Sequence, residues 1–170
     1  MVAETTQIVH NAWPVTFTYH FQSFIPQLEG LRTLIDLALA SQRSTVPHLT
    51  FISSISVAGR LASKSSQDIV VPESSMTSVD RALPHGYAMS KFAAEKIIEK
   101  AVSATTLQAS IVRSGQIAGS LQTGAWHRNE YVPSVLRASV RAGRVPEDLF
   151  TRVCIFRLRN CIRSHLGGSL

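Results

Sequence analysis

The chain has 170 residues, of which 45% are hydrophobic and 16% charged, with a formal net charge of +6. That length suits one domain with a sizeable core, and no apolar run approaches the ~20 residues needed to cross a bilayer. The charge excess is local: residues 151–170 hold Arg152, Arg157, Arg159, Arg163 and no acid, which leaves +2 on the other 150, so the gathered basic face of a nucleic-acid binder is missing.

Met1 is not followed by a basic stretch and an apolar run, so a cytoplasmic protein without a membrane partner is the expectation. Residues 7–12 (Gln-Ile-Val-His-Asn-Ala) read as a short, largely buried strand. From 24 to 41, Leu28, Leu31, Leu34, Ile35, Leu37, Ala38 and Leu39 recur at a helical period. Pro26 is tolerable in a first helical turn. Residues 48–54 predict a second strand ending in Ser53 and Ser54. A serine-rich loop spans about 55–85, and a loop that long in a compact domain is more often functional than idle. A helix follows from Tyr87 to about Ser103, with Ala94, Ile97, Ile98 and Ala101 facing inward. Residues 107–113 predict a third strand, 114–119 a glycine-punctuated turn, and 133–142 a short helix stopped by Gly143. Cys154 and Cys161 lie in the tail without the spacing of a zinc site, so no metal is expected.

Strand, helix, strand, loop, helix, strand predicts β-α-β crossovers and a parallel sheet covered on both faces. The fold class is α/β, Rossmann-like and doubly wound. Ligands in such sheets bind beyond the carboxyl ends of the strands. Asn11, Ser53, Ser54, Ser114 and Gly115 all fall at such ends.

Tyr87 and Lys91 stand four apart at the start of a helix, a spacing that puts them on one face about 5–6 Å apart. A phenol and an ammonium held so close can work as one proton-transfer unit, the cation favouring the phenolate and lowering the phenol's pKa. The bland alternative is a surface helix with a packed ring and a solvated ammonium. The strand-end residues favour the chemical reading. His10, His85 and His127 have no evident partners. No Gly-x-Ser-x-Gly elbow is present, which argues against a serine hydrolase.

A serine at a strand end, about 30 residues before Tyr-x-x-x-Lys, resembles the short-chain dehydrogenase/reductase superfamily. Residues 8–13, 51–56, 87–91 and 113–119 occur in the expected order and resemble its extended members. The segment 124–134 (Gly-Ala-Trp-His-Arg-Asn-Glu-Tyr-Val-Pro-Ser) narrows the likeness. It points to the thioester reductase domain of nonribosomal-peptide-synthetase-like enzymes and carboxylic acid reductases. The resemblance implies hydride transfer from NADPH to an acyl thioester on a carrier's phosphopantetheine arm, or to the derived aldehyde. It gives Tyr87 as proton donor, Lys91 as its activator and ribose ligand, and Ser54 as a second donor to the carbonyl oxygen. Ser53 and Ser56 are close by, and the family pattern selects Ser54. Asn11 and Ala12 would pass the cofactor ribose, and Ser114 and Gly115 the nicotinamide. For the latter two an ordinary tight turn is the alternative.

The family's glycine-rich pyrophosphate turn has no counterpart among the nine glycines. On the resemblance, residues 1–150 form a partial NAD(P)-binding reductase domain lacking the N-terminal glycine-rich βαβ half. Residues 151–170 form a basic tail outside the family pattern, an ending that a truncated gene model, a frameshift or a retained intron would produce. NADPH binding is expected to be weak. The 7–12 strand would be a bare apolar edge, open to self-association. Gln27 stands where many extended reductases carry asparagine, a departure from the family's proton-relay pattern. Two other readings stay open: a catalytically inactive remnant acting by protein association, and a short-chain reductase or epimerase of another substrate class.

Overall fold

The computed structural model describes residues 4–63, 71, 73–145, 155–156 and 163–166. In chain order the regular elements are β1 (Gln7–His10), α1 (Ile25–Leu39), β2 (His48–Ser54), α2 (Gly59–Ser63), α3 (Gly86–Ala104), β3 (Ala109–Ser114), β4 (Gln116–Ile117), α4 (Tyr131–Ala142), β5 (Ile155–Phe156) and β6 (Arg163–Leu166). Short 3-10 turns occupy Phe21–Phe24, Ile55–Ala58 and Val79–Arg81. The chain divides into two compact units, residues 1–114 with 161–170, and residues 115–160.

The first unit holds a sheet of order β1-β2-β3-β6. β1, β2 and β3 are parallel, with His10 opposite Phe51 and Ser54 opposite Ser114. β6 runs antiparallel to β3. β1 therefore lies at the edge, and its Val9 is 60% exposed. The strand ends where Asn11 turns away, its carbonyl accepting the N–H of Trp13 at 3.0 Å. β3 begins two residues later than the sequence predicts. Thr105 Oγ1 accepts the N–H of Leu107 at 3.1 Å, so that group is used before the ladder starts.

α1 and α3 pack against each other, and both touch β2. They share one face of the sheet, whereas the sequence predicts cover on both. β2 records this as alternation: Leu49, Phe51 and Ser53 are buried, and the residues between them are half-buried. Phe24, Leu31, Ile35 and Ala38 from the α1 side meet Ala94 and Ile98 of α3 over Leu49, Phe51 and Ile111. At about 25 cal/mol per Å² of apolar area, this layer supplies the main drive for folding.

The described residues of the long predicted loop are packed. Val57, Ala58 and Met76 form a second buried cluster with Leu61, Val71 and Phe92, and Leu83 N–H bonds the Ser56 carbonyl at 2.9 Å. In the second unit, β4 and β5 pair in parallel. α4 ends at Gly143, whose φ of 65° is the left-handed conformation that glycine adopts freely. Cys154 and Cys161 lie outside the described residues. No described helix is long and apolar enough to cross a membrane.

Candidate active site

α3 starts where two constraints meet. His85 caps it, Nδ1 accepting the Ala88 N–H at 3.2 Å, which places the proton of the neutral ring on Nε2. Burial holds the His85 pKa below its usual value and so favours this neutral acceptor. Gly86 has no room for a side chain. An added Cβ would strike the Tyr19 carbonyl oxygen and lie 2.6 Å from backbone atoms of His20 and Phe21.

Tyr87 follows directly and is 7% exposed. Its ring stacks on His85 at 6.2 Å and meets Phe17 edge-on at 5.4 Å. Ser54 lies beside the phenol and lowers its pKa, while its Oγ accepts the Ser56 N–H at 3.2 Å. Ser53 and Ser54 diverge as strand neighbours must: Ser53 Oγ donates to Glu95 at 2.5 Å, while Ser54 turns to Tyr87. Burial pushes the Tyr87 pKa up, and the Ser54 hydroxyl opposes this without cancelling it. The sequence predicts the opposite direction, from the lysine cation. Desolvation outweighs that expectation.

Lys91 is 3% exposed. Nζ donates to the Ile52 carbonyl at 2.6 Å. It stands 4.6 Å from the ring centroids of both Trp13 and Phe51, and 5.9 Å from that of Tyr87. Burial pulls its pKa down to about 7, with Glu95 opposing. A packed ring beside a solvated ammonium is therefore excluded. The pair is buried, and its amine sits near the midpoint of titration at neutral pH.

One turn beyond Lys91, Glu95 is fully buried. Its carboxylate accepts from Arg113 Nε at 3.1 and 3.3 Å and from Nη2 at 2.8 Å. Arg113 Nη1 also donates to the Ser74 carbonyl at 3.1 Å. Sequence reading assigned neither residue a role, yet the signal was present. Arg113 sits inside an apolar strand and needs a buried acid, and Glu95 continues the i, i+4 series from Tyr87 and Lys91.

Asn11 and Ala12 are exposed just past β1. Ser114 Oγ donates to the Ser53 carbonyl at 3.2 Å. Thus Ser54, Tyr87, Lys91, Asn11, Ala12 and Ser114 all lie in the first unit near the carboxyl ends of its parallel strands. Gly115 opens the second unit. Two histidines without evident partners in the sequence have them in the fold: His85 caps α3, and His10 packs on Trp13 and Phe51 at 5.8 and 5.6 Å. His10 Nε2 and Gln27 Oε1 remain buried without a hydrogen bond. Among the described residues no His, Cys, Asp and Glu group could hold a metal ion.

The groups around Tyr87 fit the nicotinamide-ribose end of a dinucleotide, since hydroxyl and amine donors converge where such sheets bind ligands. The pyrophosphate end has no matching cradle in these helices. α1 opens on Phe24, Ile25 and Pro26, and the α3 terminus is already capped by His85.

Comparison with known proteins places the chain in a family. The family profile NAD_binding_4, described as Male sterility protein, matches residues 1–158. A carboxylic acid reductase of Neurospora crassa is 33% identical over 150 residues, covering 88% of this chain and 14% of that protein. The adenylate-forming reductase stbB of Stachybotrys bisbyi is 38% identical, covering 83% of this chain and 13% of that one. The crystal structure of the terminal R domain from the myxalamid PKS-NRPS biosynthetic pathway superposes with a TM-score of 0.66 at 29% identity. It covers 81% of this chain and 33% of that one. The chain thus spans about an eighth of the curated relatives' length and a third of the R domain. With a profile matching nearly the whole chain and a shared Rossmann-like fold, the protein belongs to the NAD_binding_4 family and resembles the reductase domains of carboxylic acid reductases and nonribosomal-peptide-synthetase-like enzymes.

Proposed function

We propose that the chain carries the proton-transfer centre of an NADPH-dependent reductase. It reduces an acyl thioester held on a carrier domain's phosphopantetheine arm, or the aldehyde formed from it, in the cytoplasm. The observation that supports this most is the burial of Tyr87 and Lys91 one turn apart at the start of α3, with Ser54 beside the phenol.

NADPH, when bound, supplies a hydride to the carbonyl carbon. Tyr87 gives its proton to the carbonyl oxygen as negative charge develops there. Its raised pKa keeps that proton in place at neutral pH, so the residue works as an acid. Ser54 donates a hydrogen bond to the same oxygen. Lys91 bonds the ribose and, with a pKa near 7, exchanges its own proton readily. Asn11 and Ala12 pass the ribose, and Ser114 and Gly115 the nicotinamide. With a thioester the product is a thiohemiacetal, which expels the thiol to give the aldehyde. Affinity for NADPH is weak, because neither α1 nor α3 offers its terminal amides to a pyrophosphate.

The test is to titrate NADPH into the protein while following tryptophan fluorescence. An acyl-pantetheine thioester is then added and cofactor oxidation is followed. Saturable binding lost in Lys91→Ala, with turnover lost in Tyr87→Phe, supports the reductase. An intact fold that binds no NADPH at millimolar concentration overturns it. That result favours a second reading, an inactive remnant associating through the exposed edge of β1, where Val9 is 60% exposed.

A further inference from the structure

Trp13 has three relationships that converge on α3. Its indole Nε1–H donates to Ser90 Oγ at 3.1 Å. That hydroxyl donates in turn to the Tyr87 carbonyl at 2.8 Å. The indole also lies 4.6 Å from Lys91 Nζ. The ring itself is held firmly. It stacks on Phe24 at 6.5 Å and 13°, and meets Phe51 edge-on at 5.5 Å. Only 7% of the residue is exposed.

Each contact has a separate physical reason. A buried indole N–H is a donor and needs an acceptor, and Ser90 supplies it from the first turns of α3. The Ser90 bond then reaches the backbone of the residue that bears the phenol. The indole face carries negative charge density and attracts a cation within about 6 Å, most strongly where water is excluded. Lys91 meets that condition. The other groups facing it are Phe51 and the Ile52 carbonyl from β2, His10 from β1, and Tyr87 and Glu95 on α3. Of these, His10 opposes a cation when protonated, and Glu95 is committed to Arg113.

We propose that Trp13 is the positioning residue of the Tyr87–Lys91 pair, holding the start of α3 through Ser90 and seating the Lys91 ammonium with its ring face. This rests on the reading of Tyr87 and Lys91 as a proton-transfer unit. Its two functions separate by substitution. Trp13→Phe keeps a ring face and loses the donor. Trp13→Leu fills the site and loses both. Ser90→Ala removes both the acceptor of the indole N–H and the donor to the Tyr87 carbonyl, and leaves the ring face in place.

The experiment is lysine labelled with 13C at Cε in the full chain, titrated by NMR, with Lys91→Arg to assign the resonance. Lys64, Lys96 and Lys100 serve as internal references. Removing a cation–π contact disfavours the charged amine. The Lys91 midpoint should therefore fall by about half to one unit in Trp13→Leu, and should move by less than half of that in Trp13→Phe. In Ser90→Ala the indole N–H resonance of Trp13 should shift and lose protection from solvent exchange, while the Lys91 midpoint stays within about 0.2 unit of wild type. A midpoint equal in wild type and Trp13→Leu, or an indole N–H unmoved in Ser90→Ala, overturns the proposal. Ser90→Ala and Trp13→Phe keep the test open if Trp13→Leu does not fold. Neither readout needs NADPH or turnover, so an inactive chain leaves the result interpretable.

Discussion

Glu95 and Arg113 form a forked ion pair between α3 and β3, with side-chain exposures of 0% and 4%. Removing one member leaves the other charged and buried, at a cost of about 3–5 kcal/mol. We expect Glu95→Ala and Arg113→Ala each to lose about that much stability in urea unfolding. Glu95→Leu combined with Arg113→Met should recover most of it, because an apolar pair carries no desolvation cost. A double variant as unstable as the two single losses summed would show that the pair acts through something other than charge.

Stability should rise with pH above neutrality. Lys91 titrates at about 7 in the fold against 10.5 ordinarily. Between those values the unfolded chain holds a proton that the native chain has released. The native state gains up to about 1.4 kcal/mol per pH unit from this group as pH rises from 7, and the gain is lost as pH falls back through 7. The depressed histidines His10 and His85 act with the same sign, removing stability as pH falls below 6.5. Urea midpoints at pH 7, 8 and 9 should climb in the wild type and flatten in Lys91→Met. A flat wild-type series would contradict a buried, depressed amine.

Turnover assays on the acyl-pantetheine thioester should separate Ser54 from Ser53. We expect Tyr87→Phe to lose about 10²–10⁴ in rate, and Ser54→Ala about 10²–10³, each with its fold intact by circular dichroism. Ser53→Ala should act on stability instead, because its hydroxyl serves Glu95. A larger rate loss in Ser53→Ala than in Ser54→Ala would reverse the assignment.

Gly86→Ala should be destabilising without removing any hydrogen-bonding side chain. The added methyl meets the backbone of residues 19–21, which cannot retreat as a side-chain tip can. Overpacking of this kind costs about 1–3 kcal/mol. Thermal unfolding measures it directly, and a variant as stable as wild type would show that the 19–21 segment is free to move.

Much of this arrangement was legible in the residues. The periods of 24–41 and 87–103 gave α1 and α3 because their apolar spacing is helical and uninterrupted. The strand ends at Ser54 and Ser114 followed from apolar runs that stop in small polar residues. Tyr87 and Lys91 could be paired by spacing alone. What spacing could not give was the competition between effects. The direction of the phenol's shift depended on how deeply α3 sinks, which is a tertiary quantity. The capping role of His85 required knowing that α3 starts at Gly86. Glu95 and Arg113 were each visible, but their partnership crosses 18 residues and two elements. Nothing local in the sequence pairs the Trp13 indole N–H with Ser90, 77 residues away.

Tyr87, Lys91 and Glu95 occur at i, i+4 and i+8 of one helix, so the chemical groups and their anchor share a single rod. The Glu95–Arg113 pair pins that rod to β3 and would be the pivot of any tilt of α3. At 1.5 Å per residue the phenol rides about 12 Å from that pin. A tilt of about 5° at the pivot would therefore carry the phenol about 1 Å, a displacement able to cost on the order of 100-fold in rate. Substitutions around Arg113 and Ser74 should therefore change the alignment of Tyr87, the proposed proton donor, without touching it.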